Sequence, residues 1–166
     1  MELKLKESEK NKTPVQFLAE TAFNSNKYVI VGNKEKAFQI LNRVEEEFEP
    51  PIDDIVYFGY MLVYLELEDI EKAEEAIIKT QQFVNSFGQG ELQHLVYTGQ
   101  GRIHELKGEY ELAIENFRKG VEISPHRKKF FYYIGRCYRK LNRFTEAKEN
   151  LIIAYNDFPY NPLYIY

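Results

Sequence analysis

The chain has no tryptophan, one cysteine and two methionines among its 166 residues. Cys137 alone cannot form an intramolecular disulfide, and zinc sites built on several cysteines are excluded. No long apolar run occurs, so no segment reads as a transmembrane helix. The opening "MELKLKESEKNKTP" is charged and lacks an apolar stretch, so it does not read as a signal peptide. These absences lead to the expectation of a cytoplasmic protein with no membrane partner.

What is present is aromatic and charged. Thirteen Tyr and twelve Phe bring the aromatic share to 15%, so much of the packing must rest on rings that carry a hydroxyl. Hydrophobic residues at 44% and charged residues at 29% describe a globular chain with a real core. The net charge of −4 is uneven. Residues 1–93 hold 10 basic and 18 acidic side chains, and residues 94–166 hold 12 and 8. That division fits ordinary solvated helix faces, or a polarised binding surface.

The chain repeats itself. "YTGQGRIHELKGEYELAIENFRKGVEISP" (97–125) aligns with "FYYIGRCYRKLNRFTEAKENLIIAYNDFP" (131–159). Gly101 then pairs with Gly135, His104 with Tyr138, Gly108 with Asn142, Ala113 with Ala147, Phe117 with Leu151, and Pro125 with Pro159, always 34 apart. An upstream copy (57–85) places Met61, Tyr64, Ala73 and Ile77 in the same slots. Ala73 precedes Ala113 by 40, which leaves "GQGELQ" (88–93) as an insertion. A fainter copy ends in "GNKEKAFQILNRVEEEFEPP" (32–51).

Apolar and small residues recur at helical spacing within each copy, with Gly or Asn punctuation between two halves. The expected helix pairs are 13–31/34–48, 53–67/70–86, 93–107/110–124 and 128–141/144–157. Pro125 and Pro159 end second helices, and Thr145 is expected as an N-cap. No strand signal competes, although "YVIVG" taken alone reads equally as strand. The chain is therefore expected to be all-α, with a flexible segment at 1–12 and one domain over 13–166.

These residues resemble the tetratricopeptide repeat family, whose 34-residue signature runs aromatic–x2–Leu–Gly–x2–Tyr, Ala–x3–Phe, then Pro. Residues 94–127 match at Tyr97, Gly101, Ala113, Phe117 and Pro125. Residues 128–161 match at Phe131, Ile134, Gly135, Tyr138, Ala147, Ala154 and Pro159. The copy at 54–87 departs at Met61 and Asn85, and that at 18–51 is weaker still. The resemblance implies a right-handed α-solenoid of antiparallel helix pairs. Physically, one pair cannot bury its apolar face alone and must stack on neighbours.

Catalytic signals are poor. The glycines of "YTGQGRIHELKG" (97–108) lie inside an expected helix with no strand before them, so they do not form a phosphate loop. His94, His104 and His126 are spaced too widely for a metal site, and His104 holds a packing slot that Tyr138 fills one copy later. Cys137 reads as a buried, inert thiol. No enzyme activity, cofactor or metal is expected.

The resemblance places the first helix of each pair along a concave groove. Its candidate lining is Phe58, Leu62, Gly99, Arg102, Lys129, Tyr132, Tyr133, Arg136, Arg139 and Lys140. That surface runs from apolar to aromatic-basic, which suits a peptide with an apolar portion and an acidic or carboxylate-bearing end. Some relatives clamp a C-terminal carboxylate with Lys–Asn–Asn–Lys–Arg. The matching positions here are Phe58, Leu62, Gly99, Lys129 and Tyr133, and only Lys129 agrees. An overall acidic chain argues against nucleic acid.

The expected function is a protein-interaction scaffold or adaptor. The alternatives are the non-catalytic repeat region of a larger enzyme or signalling protein, and a small chaperone resembling those of type III secretion translocators. "PYNPLYIY" (159–166) begins another first helix, and Ile152, Ile153 and Tyr155 would meet water. Continuation past Tyr166 or coverage by self-association is therefore expected.

Overall fold

A computed structural model describes residues 24–25, 27–29, 31–47, 53–86, 90 and 92–157. The segment 1–12, most of the helix expected over 13–31, Pro159 and the stretch 159–166 lie outside the described residues. The helices are α1 (Lys34–Glu47), α2 (Asp53–Glu66), α3 (Ile70–Ser86), α4 (Gln93–Leu106), α5 (Tyr110–Ile123), α6 (Lys129–Lys140) and α7 (Phe144–Asp157). Their bounds agree with the expected pairs to within a residue at either end. No described residue lies in a strand, and Tyr28 and Val29 of "YVIVG" are helical.

The chain divides into two compact units, Met1–Phe87 and Gly88–Tyr166. The division falls at the start of the insertion "GQGELQ". In the first unit α1 packs on α2 and α2 on α3. In the second, α4 packs on α5, α5 on α6 and α6 on α7.

One backbone turn recurs between helices. Gly32, Glu68, Gly108 and Asn142 all have positive φ, at 82°, 58°, 79° and 60°. The amide of Gly108 donates to the Glu105 carbonyl at 3.1 Å, and that of Glu109 to the His104 carbonyl at 2.8 Å. The same two bonds link Gly32 to Val29 and Asn33 to Tyr28, Glu68 to Leu65 and Asp69 to Tyr64, and Asn142 to Arg139 and Arg143 to Tyr138. This is the Schellman closure, in which a left-handed residue lets the chain satisfy carbonyls at a helix end.

The residue after each left-handed position then opens the next helix. The carbonyls of Asn33, Asp69, Glu109 and Arg143 accept from the amides of Ala37, Ala73, Ala113 and Ala147 at 3.0 to 3.3 Å. Asn33 and Asp69 also cap with their side chains, which accept from the amides of Lys36 and Lys72. Arg143 therefore occupies the cap position of α7. Thr145 sits inside the first turn, two places beyond the N-cap position, because the helix already starts at Phe144. All four alanines are buried.

Small residues set the helix contacts in the second unit. A Cβ added to Gly101 would lie 2.4 Å from Phe117 Cε1, and one on Gly120 would lie 2.4 Å from Phe130 Cε1. One on Gly135 would meet Leu151 Cγ at 2.7 Å and the Ala147 carbonyl oxygen at 3.1 Å. Thus α4–α5, α5–α6 and α6–α7 each have a bare backbone spot filled by a large neighbour. In the first unit the glycine slot holds fully buried Met61, and the opposing slot holds the smaller Ile77. The copy at 54–87 departs from the signature by moving volume from one slot to the other.

Candidate interaction face

Helix α6, "KFFYYIGRCYRK", buries Phe130, Tyr132, Tyr133, Ile134, Gly135, Cys137 and Tyr138. Burial on so many sides leaves Lys129, Arg139 and Lys140 exposed and Arg136 half-buried. From α4, Arg102 and Glu105 are buried, and Gly99 beside them is buried too. Phe58 and Leu62 are buried in the first unit. Of the residues expected to line a groove, six are thus enclosed and the exposed ones are all basic.

Glu105 is the hinge of this face. Its Oε1 accepts from Arg136 Nε at 2.7 Å and lies 2.6 Å from Arg136 Nη2. Its Oε2 is 3.2 Å from Arg102 Nε. Burial is the strongest single influence on the Arg136 guanidinium and acts to lower its pKa, but the Glu105 charge and the hydrogen bonds with Tyr132 and Glu105 together raise it above its usual value. Both arginines also lie against tyrosine rings. Arg102 Cζ is 5.3 Å from the Tyr133 centroid, and Arg136 Cζ is 5.5 Å from that of Tyr132. Lys129 Nζ adds a third cation 5.5 Å from Tyr133, within cation–π range.

Tyr133 is held on its other flank by Phe117, stacked at 5.0 Å and 25°. Burial acts to raise the Tyr133 phenol. The charges of Lys129 and Arg102, and hydrogen bonds with them, prevail and hold it below its usual value. Burial pushes the neighbouring Cys137 thiol up to about 12, with the Glu105 charge adding to the effect. A thiol so disposed stays protonated and is a poor nucleophile.

The histidines take separate roles. His94 is buried in α4 and His126 is exposed after α5. His104 Nδ1 meets Glu109 Oε2 at 2.5 Å, across the turn. In the next copy Arg143 lies over the Tyr138 ring at 4.7 Å, from the same two slots. Among the described residues, no three His, Cys, Asp or Glu side chains gather as metal ligands. No described helix is long and apolar enough to cross a membrane.

Sequence reasoning placed Arg102 and Arg136 in one slot, 34 apart, but missed that Glu105 joins them. The signal was available. Glu105 is one turn beyond Arg102, and Arg139 replaces it in the next copy. One carboxylate thus serves two arginines.

Family models described as tetratricopeptide repeat match residues 95–127 and 130–159. A search of curated proteins found no match to the chain.

Proposed function

We propose that the chain, which matches tetratricopeptide repeat models over 95–127 and 130–159, is a scaffold or adaptor that binds an acidic partner peptide through α6. The observation that carries this reading is the charge balance around Tyr133. Arg102, Lys129 and Arg136 converge there, and the Glu105 carboxylate pairs with both arginines. Arg139 and Lys140 add two exposed basic side chains on the same helix. A cationic, aromatic-backed surface favours carboxylate groups and speeds their encounter.

Fluorescence anisotropy tests this with a labelled Glu-rich peptide and a Lys-rich control of equal length. The wild type should bind the acidic peptide, more weakly as salt rises. Arg139→Glu with Lys140→Glu should abolish binding at an unchanged melting temperature. Equal affinity for both peptides, or full binding by the double variant, defeats the reading.

Helix α7 favours a second reading. Ile152, Ile153 and Tyr155 are exposed by 47%, 38% and 43%. That apolar edge supports a repeat array that continues into a larger protein or is covered by a second copy. Light scattering should show self-association that Ile153→Glu removes. A strict monomer, with a gene that ends at Tyr166, rules out both forms of this reading.

A further inference from the structure

A second, different surface lies wholly within the first unit. Tyr57, Tyr60 and Tyr64 follow one another along one side of α2, at helical spacings of three and four. Their rings form a ladder, with Tyr57 and Tyr60 6.2 Å apart and Tyr60 and Tyr64 stacked at 6.0 Å and 17°. Phe38 of α1 extends it, 5.8 Å from Tyr64. The ladder lines a cleft of about 630 Å³ between α1 and α3.

Lysines stand at both ends. Lys72 Nζ is 5.6 Å from the Tyr64 ring and Lys79 Nζ is 5.8 Å from the Tyr57 ring. Asn42 also lines the cleft, and its Oδ1 accepts from Tyr60 Oη at 2.8 Å. That assignment leaves the Asn42 amide NH2 as a donor. The lip carries Ile78, 59% exposed. The cleft is therefore aromatic on its floor, with the Asn42 amide and Lys79 as donors at its edges, Lys72 paired with Asp69 at 3.1 Å, and Glu75 on its wall.

A ligand for such a cleft needs flat apolar faces, carbonyl acceptors and few N–H groups of its own. A polyproline II segment meets all three requirements. Proline has no backbone N–H, and its helix leaves every carbonyl open. It is also already ordered before it binds. A cationic ligand would be repelled by lysines already seated on the rings. A nucleic acid would stack well, but its phosphates would meet the Glu75 carboxylate on the cleft wall.

We propose that this cleft docks a proline-rich segment of a partner protein in the polyproline II conformation. This goes beyond the acidic-peptide reading and uses none of its residues. The test is anisotropy with labelled decaproline, a Gly-Ser peptide of the same length and an oligo-dT strand, backed by amide NMR shifts. Decaproline should bind saturably and shift amides in α2 and α3, and the Gly-Ser peptide should not bind. Ile78→Glu, at an exposed position, and Tyr57→Leu should each weaken it by about tenfold or more. Arg139→Glu with Lys140→Glu should leave it unchanged. The proposal is overturned if decaproline does not saturate, or if Ile78→Glu binds as wild type. It is equally overturned if oligo-dT binds more tightly and competes.

Discussion

Glu105 and Arg136 join α4 to α6 through a 2.7 Å hydrogen bond between side chains 31 residues apart. Glu105 and Arg102 are both buried, so neither charge is well hydrated. Glu105→Ala would strand Arg102 in the interior. It should cost about 3 kcal/mol, the low end for a broken buried pair, because Arg136 keeps partial contact with water. Urea denaturation measures this directly, and an unchanged midpoint would show that the network is energetically idle.

Gly101→Ala pits two effects against each other. Alanine favours the helix by roughly 1 kcal/mol, but its methyl would meet Phe117 at 2.4 Å. Phe117 is fully buried and stacked on Tyr133, so it has no room to yield. Overpacking of about 1–3 kcal/mol should win, giving a lower melting temperature. Ala113→Leu and Ala147→Leu should cost at least as much. A melt unaltered by any of the three contradicts the packing register.

At the turns the sign reverses with the residue. Glu68 holds φ at 58° with a side chain that resists it. Glu68→Gly should therefore stabilise the protein by about 1 kcal/mol, while Gly108→Ala at φ 79° should destabilise it by a similar amount. Paired thermal melts decide the matter, and equal effects of one sign would refute it.

Cys137 makes stability depend on alkaline pH. Its folded thiol titrates near 12, whereas an unfolded one titrates near 8.5. The contribution is fully present below the unfolded value and is lost as pH rises towards the folded one. Wild type should lose about 1.4 kcal/mol per pH unit above roughly pH 9 relative to Cys137→Ala. Parallel urea midpoints for the two proteins from pH 8 to 10 would contradict this. Thiol reagents should label the native protein slowly and the denatured protein at once.

The helices were legible because two signals coincide at each boundary. Gly108 and Asn142 stop the first helices just where the apolar spacing breaks, and Pro125 follows the end of α5. The burial of the candidate face was harder to read. Helical spacing sorts side chains by direction, but it cannot say how far a neighbouring helix reaches. Tyr132, Tyr133 and Arg102 point along the expected face and are enclosed all the same. Arg102 pairs with Glu105 one turn along the same helix, but the second contact of Glu105, to Arg136 of α6, crosses between helices and is contained in no local pattern. The tyrosine ladder of α2 was equally hidden, since its cleft needs α1 and α3 beside it.

The recurring turn has a consequence for how the chain comes apart. Asn33, Asp69, Glu109 and Arg143 each finish one helix with the backbone N–H and start another with the C=O of the same residue. Fraying that begins at such a joint takes bonds from both helices together, so the smallest segment able to open there is a pair rather than a single helix. Hydrogen exchange should then release the amides of α4 with those of α5, and the amides of α6 with those of α7, in two shared steps.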